Sequence, residues 1–247
     1  MASSASKILT GKAALITGGS RGIGCAIARA YATAGARVFI CGRSGVDVEA
    51  ALQEIRAAGG TIDGVAGDIS RLTDVRQIVR MALDRLGAID VLVNNASILG
   101  PRATIAEYPT EAWEEVIGII LTGVVVMTRE GLASMLARRS GSIINLSSGV
   151  GRAGKAQWGA YAVSKAGLEN FTQVLADEVK SAGIRVNAVN PAATRTTMRA
   201  SAYPAEDPAS LPTADEITPI FIHLAADGAQ EITGQSLNAR DWLGKII

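Results

Sequence analysis

Short apolar, β-branched runs alternate with longer amphipathic stretches along most of the chain. The runs 12–17, 37–41, 61–66, 89–94, 142–146 and 184–190 are mostly apolar without a regular polar face. Such runs predict strands buried on both sides, the pattern of a parallel sheet. Between them, 22–34, 46–58, 71–86, 110–138 and 158–181 are rich in Ala, Leu, Glu and Arg, with apolar residues recurring at helical spacing. The alternation predicts an α/β domain, a doubly wound parallel sheet of about seven strands with helices on both faces in three layers. A last helix near 213–226 and a last strand near 235–238 extend the sheet at one edge. No repeat or Pro/Gly linker divides the chain, so 11–247 reads as one domain behind a Ser/Ala-rich flexible tail over 1–10.

Ligands of such sheets gather at the carboxyl ends of the strands. The segment 191–212 leaves a strand at that end and holds four of the seven prolines, Pro191, Pro204, Pro208 and Pro212. A long irregular stretch in that place reads as a substrate lid.

Composition narrows the function. Among 247 residues, 24 Lys+Arg stand against 23 Asp+Glu, which argues against a nucleic-acid or membrane-surface partner. No apolar run approaches the roughly 18 residues of a membrane span, and the amino terminus lacks a signal-peptide core, so a cytoplasmic location is expected. Two cysteines, Cys25 and Cys41, and one histidine, His223, give no disulfide framework and no metal-ligand cluster. All three read as structural residues.

Chemistry enters at the first turn, Thr17-Gly18-Gly19-Ser20-Arg21-Gly22-Ile23-Gly24, which lies between a strand and a helix. Glycines there let the backbone approach a pyrophosphate, and the helix offers unpaired N–H groups. An enzyme preferring the unphosphorylated ribose carries a carboxylate at the end of the second strand. This chain has Cys41-Gly42-Arg43 instead, and Arg43, helped by Arg21, suits a 2′-phosphate, which favours NADP(H) over NAD(H). Further on, Tyr161 and Lys165 stand one helical turn apart. A nearby cation lowers a phenol's pKa and fits it for proton transfer. Ser148, at the end of a strand and turn, is placed to bond a substrate carbonyl oxygen.

These pieces resemble the short-chain dehydrogenases/reductases, single-domain oxidoreductases of Rossmann type, over nearly the whole chain. Gly67-Asp68-Ile69, Asn94-Asn95-Ala96 and Asn190-Pro191 leading to Thr196 belong to the same resemblance. It implies that Tyr161 is the general acid/base, that Lys165 binds the nicotinamide ribose and lowers the Tyr161 pKa, and that Ser148 polarises the substrate oxygen. Asp68 and Ile69 are expected at the adenine, Asn95 and Ala96 on the adenosine side, and Pro191, Thr194 and Thr196 at the nicotinamide end. The substrate is a small carbonyl compound or secondary alcohol, and a homo-oligomer, tetramer or dimer, is expected.

The chain departs from the family pattern in three places. Ile120 stands where the family has a catalytic Asn, whose helix bend holds a relay water, and its side chain cannot enforce that bend. Ser97 replaces a Gly, and Pro191-Ala192 replaces Pro-Gly, beside an altered tail at Asn238-Ala239-Arg240-Asp241-Trp242. An alternative reading is therefore a nucleotide-binding sensor or interaction protein with weakened catalysis. In the lid, Met198, Tyr203 and Leu211 offer apolar contact, while Arg195 and Arg199 face either an acidic substrate or water.

Overall fold

The computed structural model describes residues 7–245. Its elements run β1 (Ala13–Thr17), α1 (Gly22–Thr33), β2 (Arg37–Gly42), α2 (Gly45–Ala57), β3 (Thr61–Ala66), α3 (Leu72–Leu86), β4 (Val91–Asn94), α4 (Thr110–Ile117) and α5 (Gly123–Arg138). There follow β5 (Gly141–Leu146), α6 (Gly149–Arg152), α7 (Gly159–Val179), β6 (Ile184–Asn190), α8 (Thr197–Ala202), α9 (Pro219–Ala225) and β7 (Ser236–Asn238). The strands form one sheet in the order β3-β2-β1-β4-β5-β6-β7, every neighbouring pair parallel.

Alternate residues of each strand feed two separate cores. Ala14, Ile16, Val38 and Ile40 face the layer of α1, α2 and α9, whereas Ala13, Leu15, Phe39 and Cys41 face the layer of α3, α5 and α7. Burial on both sides is why these strands read as unbroken apolar runs. The chain reverses its winding between β1 and β4, and the crevice beyond their carboxyl ends is where an α/β sheet of this kind takes its ligand.

Several boundaries differ from the sequence reading for local reasons. The fourth strand starts two residues late, at Val91, although the Asp90 backbone already bonds Ala13 and Ser142 and its carboxylate accepts from the Ala13 N–H at 2.8 Å. The expected helix 213–226 shrinks to α9. The Glu216 carboxylate accepts from the Thr213 N–H and hydroxyl, closing a separate turn, and Pro219 has no N–H with which to continue a helix backwards. Of the expected tail 1–10, residues 1–6 lie outside the described residues. Leu9 is fully buried and its N–H donates to the Ala34 carbonyl at 2.9 Å, so the chain is anchored before residue 10.

The helical stretch Thr110–Arg138 is, against expectation, long and apolar enough by length and composition to cross a bilayer. Here Val116, Ile119, Ile120 and Met127 are buried in the core beneath the sheet. His223, on α9, stacks on Trp242 with ring centroids 4.5 Å apart.

Candidate active site

The first turn is built from backbone. An added Cβ at Gly18 would stand 2.8 Å from the Ala96 Cα, and one at Gly24 would stand 2.2 Å from the Gly18 carbonyl oxygen. Asn95 braces the turn, its amide donating to the carbonyls of Thr17 and Gly18, both at 2.9 Å. The Thr17 hydroxyl accepts in return from the N–H groups of Asn95 and Ala96. Gly18 and Gly22 adopt φ of 63° and 55°, left-handed values that suit glycine. Arg21 caps α1 without a side-chain bond, so the helix's first N–H groups stay open to a ligand.

A cleft of about 620 Å³ opens over this turn. Gly18, Ser20, Arg21, Gly22 and Ile23 form its floor, and Arg43, Asp68, Ile69, Asn95 and Ala96 line one end. Tyr161, Lys165, Pro191 and Thr196 line the other. The fold thus brings together the sequence-selected residues, with three exceptions. Gly24 lies behind the turn, packed on Gly18. Thr194 is buried and bonds the Pro191 carbonyl at 3.0 Å, holding the strand exit rather than facing the cleft. Ser148 stands outside the lining but reaches the Tyr161 hydroxyl. Met198 of the expected lid lines it as well, and so do residues the sequence reading passed over, among them Ile119, Ser147 and Ser201. No local motif marks them.

Tyr161 and Lys165 lie on the first two turns of α7, both buried. Burial raises the Tyr161 pKa, opposed by the hydroxyls of Ser148 and Ser97. Lys165 does not figure among the groups that lower it, although its ammonium lies 5.6 Å from the centre of the Tyr161 ring. The Lys165 ammonium is itself buried and donates to the Leu146 carbonyl at 2.6 Å, and burial lowers its pKa to about 7 despite Glu169 one turn on. The phenol is therefore held protonated at neutral pH. The Glu169 carboxylate also accepts from Ser147, from Ser236 and from Arg152, which ties the end of β5 to α7 and β7.

The helix bend that Ile120 was not expected to enforce is nevertheless present. Residues Gly118–Thr122 form a π turn, with the Gly123 N–H reaching back to the Gly118 carbonyl. Backbone packing sustains it, since a Cβ at Gly123 would stand 2.7 Å from the Ile69 carbonyl oxygen. Ile120 is fully buried in the core beside it. A glycine-framed bulge does what a polar side chain was expected to do.

The segment 191–212 is not irregular throughout, for it contains α8 and is closed by a bridge between Arg195 and Thr213. The Arg195 guanidinium donates to the carbonyls of Pro208 and Leu211, and Arg199 is paired with Glu206 at 2.6 Å. At its first hinge, Ala192 sits at φ 57° with its N–H bonded to the Asn190 side chain at 2.9 Å. A left-handed conformation disfavours any residue with a Cβ. Ala192→Gly is expected to raise unfolding stability by about 1 kcal/mol in a urea titration, and a variant less stable than the parent would count against strain at this hinge.

A family profile described as short chain dehydrogenase matches residues 12–207. The chain is 34% identical over 239 residues to the oxidoreductase YciK of Escherichia coli K12, across 94% of this chain and 93% of that one. It is 36% identical over 237 residues to a 3-oxoacyl-acyl-carrier-protein reductase of Synechocystis, across 93% and 96% of the two. A crystal structure of a short chain dehydrogenase from Shigella flexneri complexed with NADP matches with a TM-score of 0.91 at 34% identity, covering 95% of this chain and 99% of that one.

Proposed function

We propose that this chain, which belongs to the short-chain dehydrogenase family, reduces a ketone or aldehyde to an alcohol with NADPH, Tyr161 donating the proton. The observation that carries the reading is a buried, protonated phenol beside the Ser148 hydroxyl and the Lys165 ammonium, at the wall of a glycine-floored cleft.

The residues present fit a phosphorylated dinucleotide. At Gly22 the nearest atom to an added Cβ is 3.9 Å away, so the turn leaves room for a pyrophosphate under the open N–H groups of α1. A cleft of this size falls within the range of cofactor sites. Arg43 is paired only with Glu115, at 3.5 Å and largely exposed, a contact weak enough to yield to a 2′-phosphate. The Shigella relative's bound NADP agrees with this choice. Asp68 and Ile69 are assigned to the adenine, Asn95 and Ala96 to the adenosine side, Lys165 to the nicotinamide ribose, and Pro191, Thr194 and Thr196 to the nicotinamide end.

When bound, the cofactor supplies a hydride to the carbonyl carbon. Ser148 orients the carbonyl oxygen, and Tyr161 delivers its proton to that oxygen as negative charge develops there. A phenol with a raised pKa holds at neutral pH the proton that reduction consumes. The proton that Tyr161 gives up is replaced by way of Lys165, and segment 191–212 acts as a lid that excludes water. The rival reading as a sensor without turnover rests on Ile120 and on the altered tail, and the π turn weakens the first of these supports.

The exposed apolar residues Val125 and Leu136 on α5, with Val163 and Val174 on α7, are assigned to contacts in a homo-oligomer. A cytoplasmic location suits the two buried free thiols.

Titration with NADPH and NADH, read by nicotinamide fluorescence, tests the cofactor assignment. NADPH is expected to bind at least tenfold more tightly, and Arg43→Ala to erase most of that margin by weakening NADPH alone. Equal affinities for the two in the unmodified protein would overturn it.

A further inference from the structure

Besides Arg240, whose guanidinium donates to the Ala193 carbonyl, four cations lie on or near the segment that covers the Tyr161 side of the cleft, and they are not equivalent. Arg195 is committed to backbone carbonyls within the segment, and Arg199 to Glu206. Arg102 and Lys155 are different. Among the described residues neither has a carboxylate within 4 Å, although both approach the same two aromatic rings.

Those rings lead to the reacting hydroxyl. The Arg102 guanidinium lies 4.5 Å from the centre of the Trp158 ring, and Trp158 lies 5.5 Å from the Tyr161 ring. Tyr203, from the end of α8, stacks at 6.1 Å on the other side of Trp158 and receives a hydrogen bond from the Lys155 ammonium at 3.2 Å. The hydrogen bond from Lys155, reinforced by the charges of Lys155, Arg199 and Arg102, holds the Tyr203 hydroxyl below the usual phenol range. A positive field therefore stands one aromatic ring away from the proton donor.

Two further observations point to a ligand rather than to packing. Trp158 is 7% exposed, and its indole N–H is buried with no hydrogen-bond partner among the described residues. A buried donor left unmade is costly unless a ligand completes it. Arg102 is also held in place, its Nε donating to the Gln157 carbonyl at 3.1 Å and one Nη to the Ala202 carbonyl at 3.3 Å. Gln157 adopts φ 66°, a left-handed value uncommon for a residue with a side chain. The remaining Nη of Arg102 makes no hydrogen bond among the described residues. A guanidinium fixed in place with a free arm is suited to a planar anion.

We propose that the substrate carries a carboxylate, held by Arg102 and Lys155 beside Trp158, so that this chain acts on short oxo acids in preference to neutral ketones. The assignment deepens the reading of Tyr161 as proton donor and rests on it. Carboxylate and reacting carbonyl are thus set about Trp158, whose ring lies 4.5 Å from the Arg102 guanidinium and 5.5 Å from the Tyr161 ring, and a short carbon chain suits that separation.

Matched pairs differing only in charge test the proposal: 4-oxopentanoate and 5-oxohexanoate against their methyl esters. Turnover is measured with NADPH, and binding to the NADP-loaded protein by calorimetry. Each acid is expected to exceed its ester at least tenfold in both kcat/KM and affinity. Arg102→Met and Lys155→Met are each expected to bring the acid-to-ester ratio toward one, chiefly through KM. Lys155 is exposed and its ammonium bonds only the Tyr203 hydroxyl among the described residues, so its variant guards against a folding defect in the other. Acids that bind no better than esters, or variants that lower acid and ester in parallel, would overturn the carboxylate site. Tighter binding of the acids with no turnover of any compound would instead uphold the carboxylate site and refute Tyr161-dependent reduction. Turnover of the esters alone would do the reverse.

Discussion

Replacing Tyr161 by Phe is expected to lower kcat for carbonyl reduction by about a thousandfold while NADPH affinity stays within about twofold. A positioned general acid contributes roughly 10²–10⁴ in rate, and no other acid in this site takes its place. Ser148 is a hydroxyl that is not acidic at neutral pH, and the Lys165 ammonium is turned to the Leu146 carbonyl. The substitution removes one oxygen from a ring packed at 5.5 Å against Trp158 and otherwise leaves the core filled. It also removes the hydroxyl that those of Ser148 and Ser97 make more acidic, and the loss falls on the chemical step and not on the fold. Steady-state kinetics with parallel fluorescence titration of NADPH separates the two. Turnover within tenfold of the parent would refute the assignment of Tyr161, and a comparable loss of NADPH binding would show that the phenol serves the cofactor instead.

Sequence and structure agree where a single segment carries its own physics. Continuous apolar runs give strands buried on both faces, and glycines after the first strand give a turn in which a Cβ at position 24 has no room. Tyr161 and Lys165 share a helix face whatever surrounds them. What the residues alone do not reveal is how deeply they are buried. Reading Lys165 as a cation that acidifies the phenol leaves burial out, and the fold buries both groups, which moves the Tyr161 pKa up and the Lys165 pKa down.

The π turn was illegible for a different reason. Its signal is not the side chain at Ile120 but the two glycines at either end, and glycines inside a helical pattern ordinarily read as mere packing allowances. The cluster of Arg102, Lys155, Trp158 and Tyr203 was illegible because it converges from three loops that only tertiary structure brings together. The lid arginines looked like the candidates for an acidic substrate, yet both are already committed within the lid.

Gly24→Ala is expected to weaken NADPH binding by about a hundredfold and to cost about 3 kcal/mol of stability. Gly24 itself touches no ligand space, so the effect comes wholly through the turn it supports. The added Cβ would stand 2.2 Å from the Gly18 carbonyl oxygen and 2.4 Å from the Asn95 amide nitrogen. Neither atom can give way cheaply. The carbonyl belongs to the turn, and the Asn95 amide is the brace that joins it to the end of β4. Relief requires α1 to back away from the sheet or the turn to open, and either displaces the N–H groups that meet the pyrophosphate. Overpacking a tight backbone contact costs ~1–3 kcal/mol, and breaking the Asn95 bonds places this case at the upper end. Urea unfolding and NADPH titration of the same variant give the two numbers. A stable variant that binds NADPH normally would mean that the helix can shift without moving the turn, and the close Gly18–Gly24 contact would then have no part in holding the cofactor.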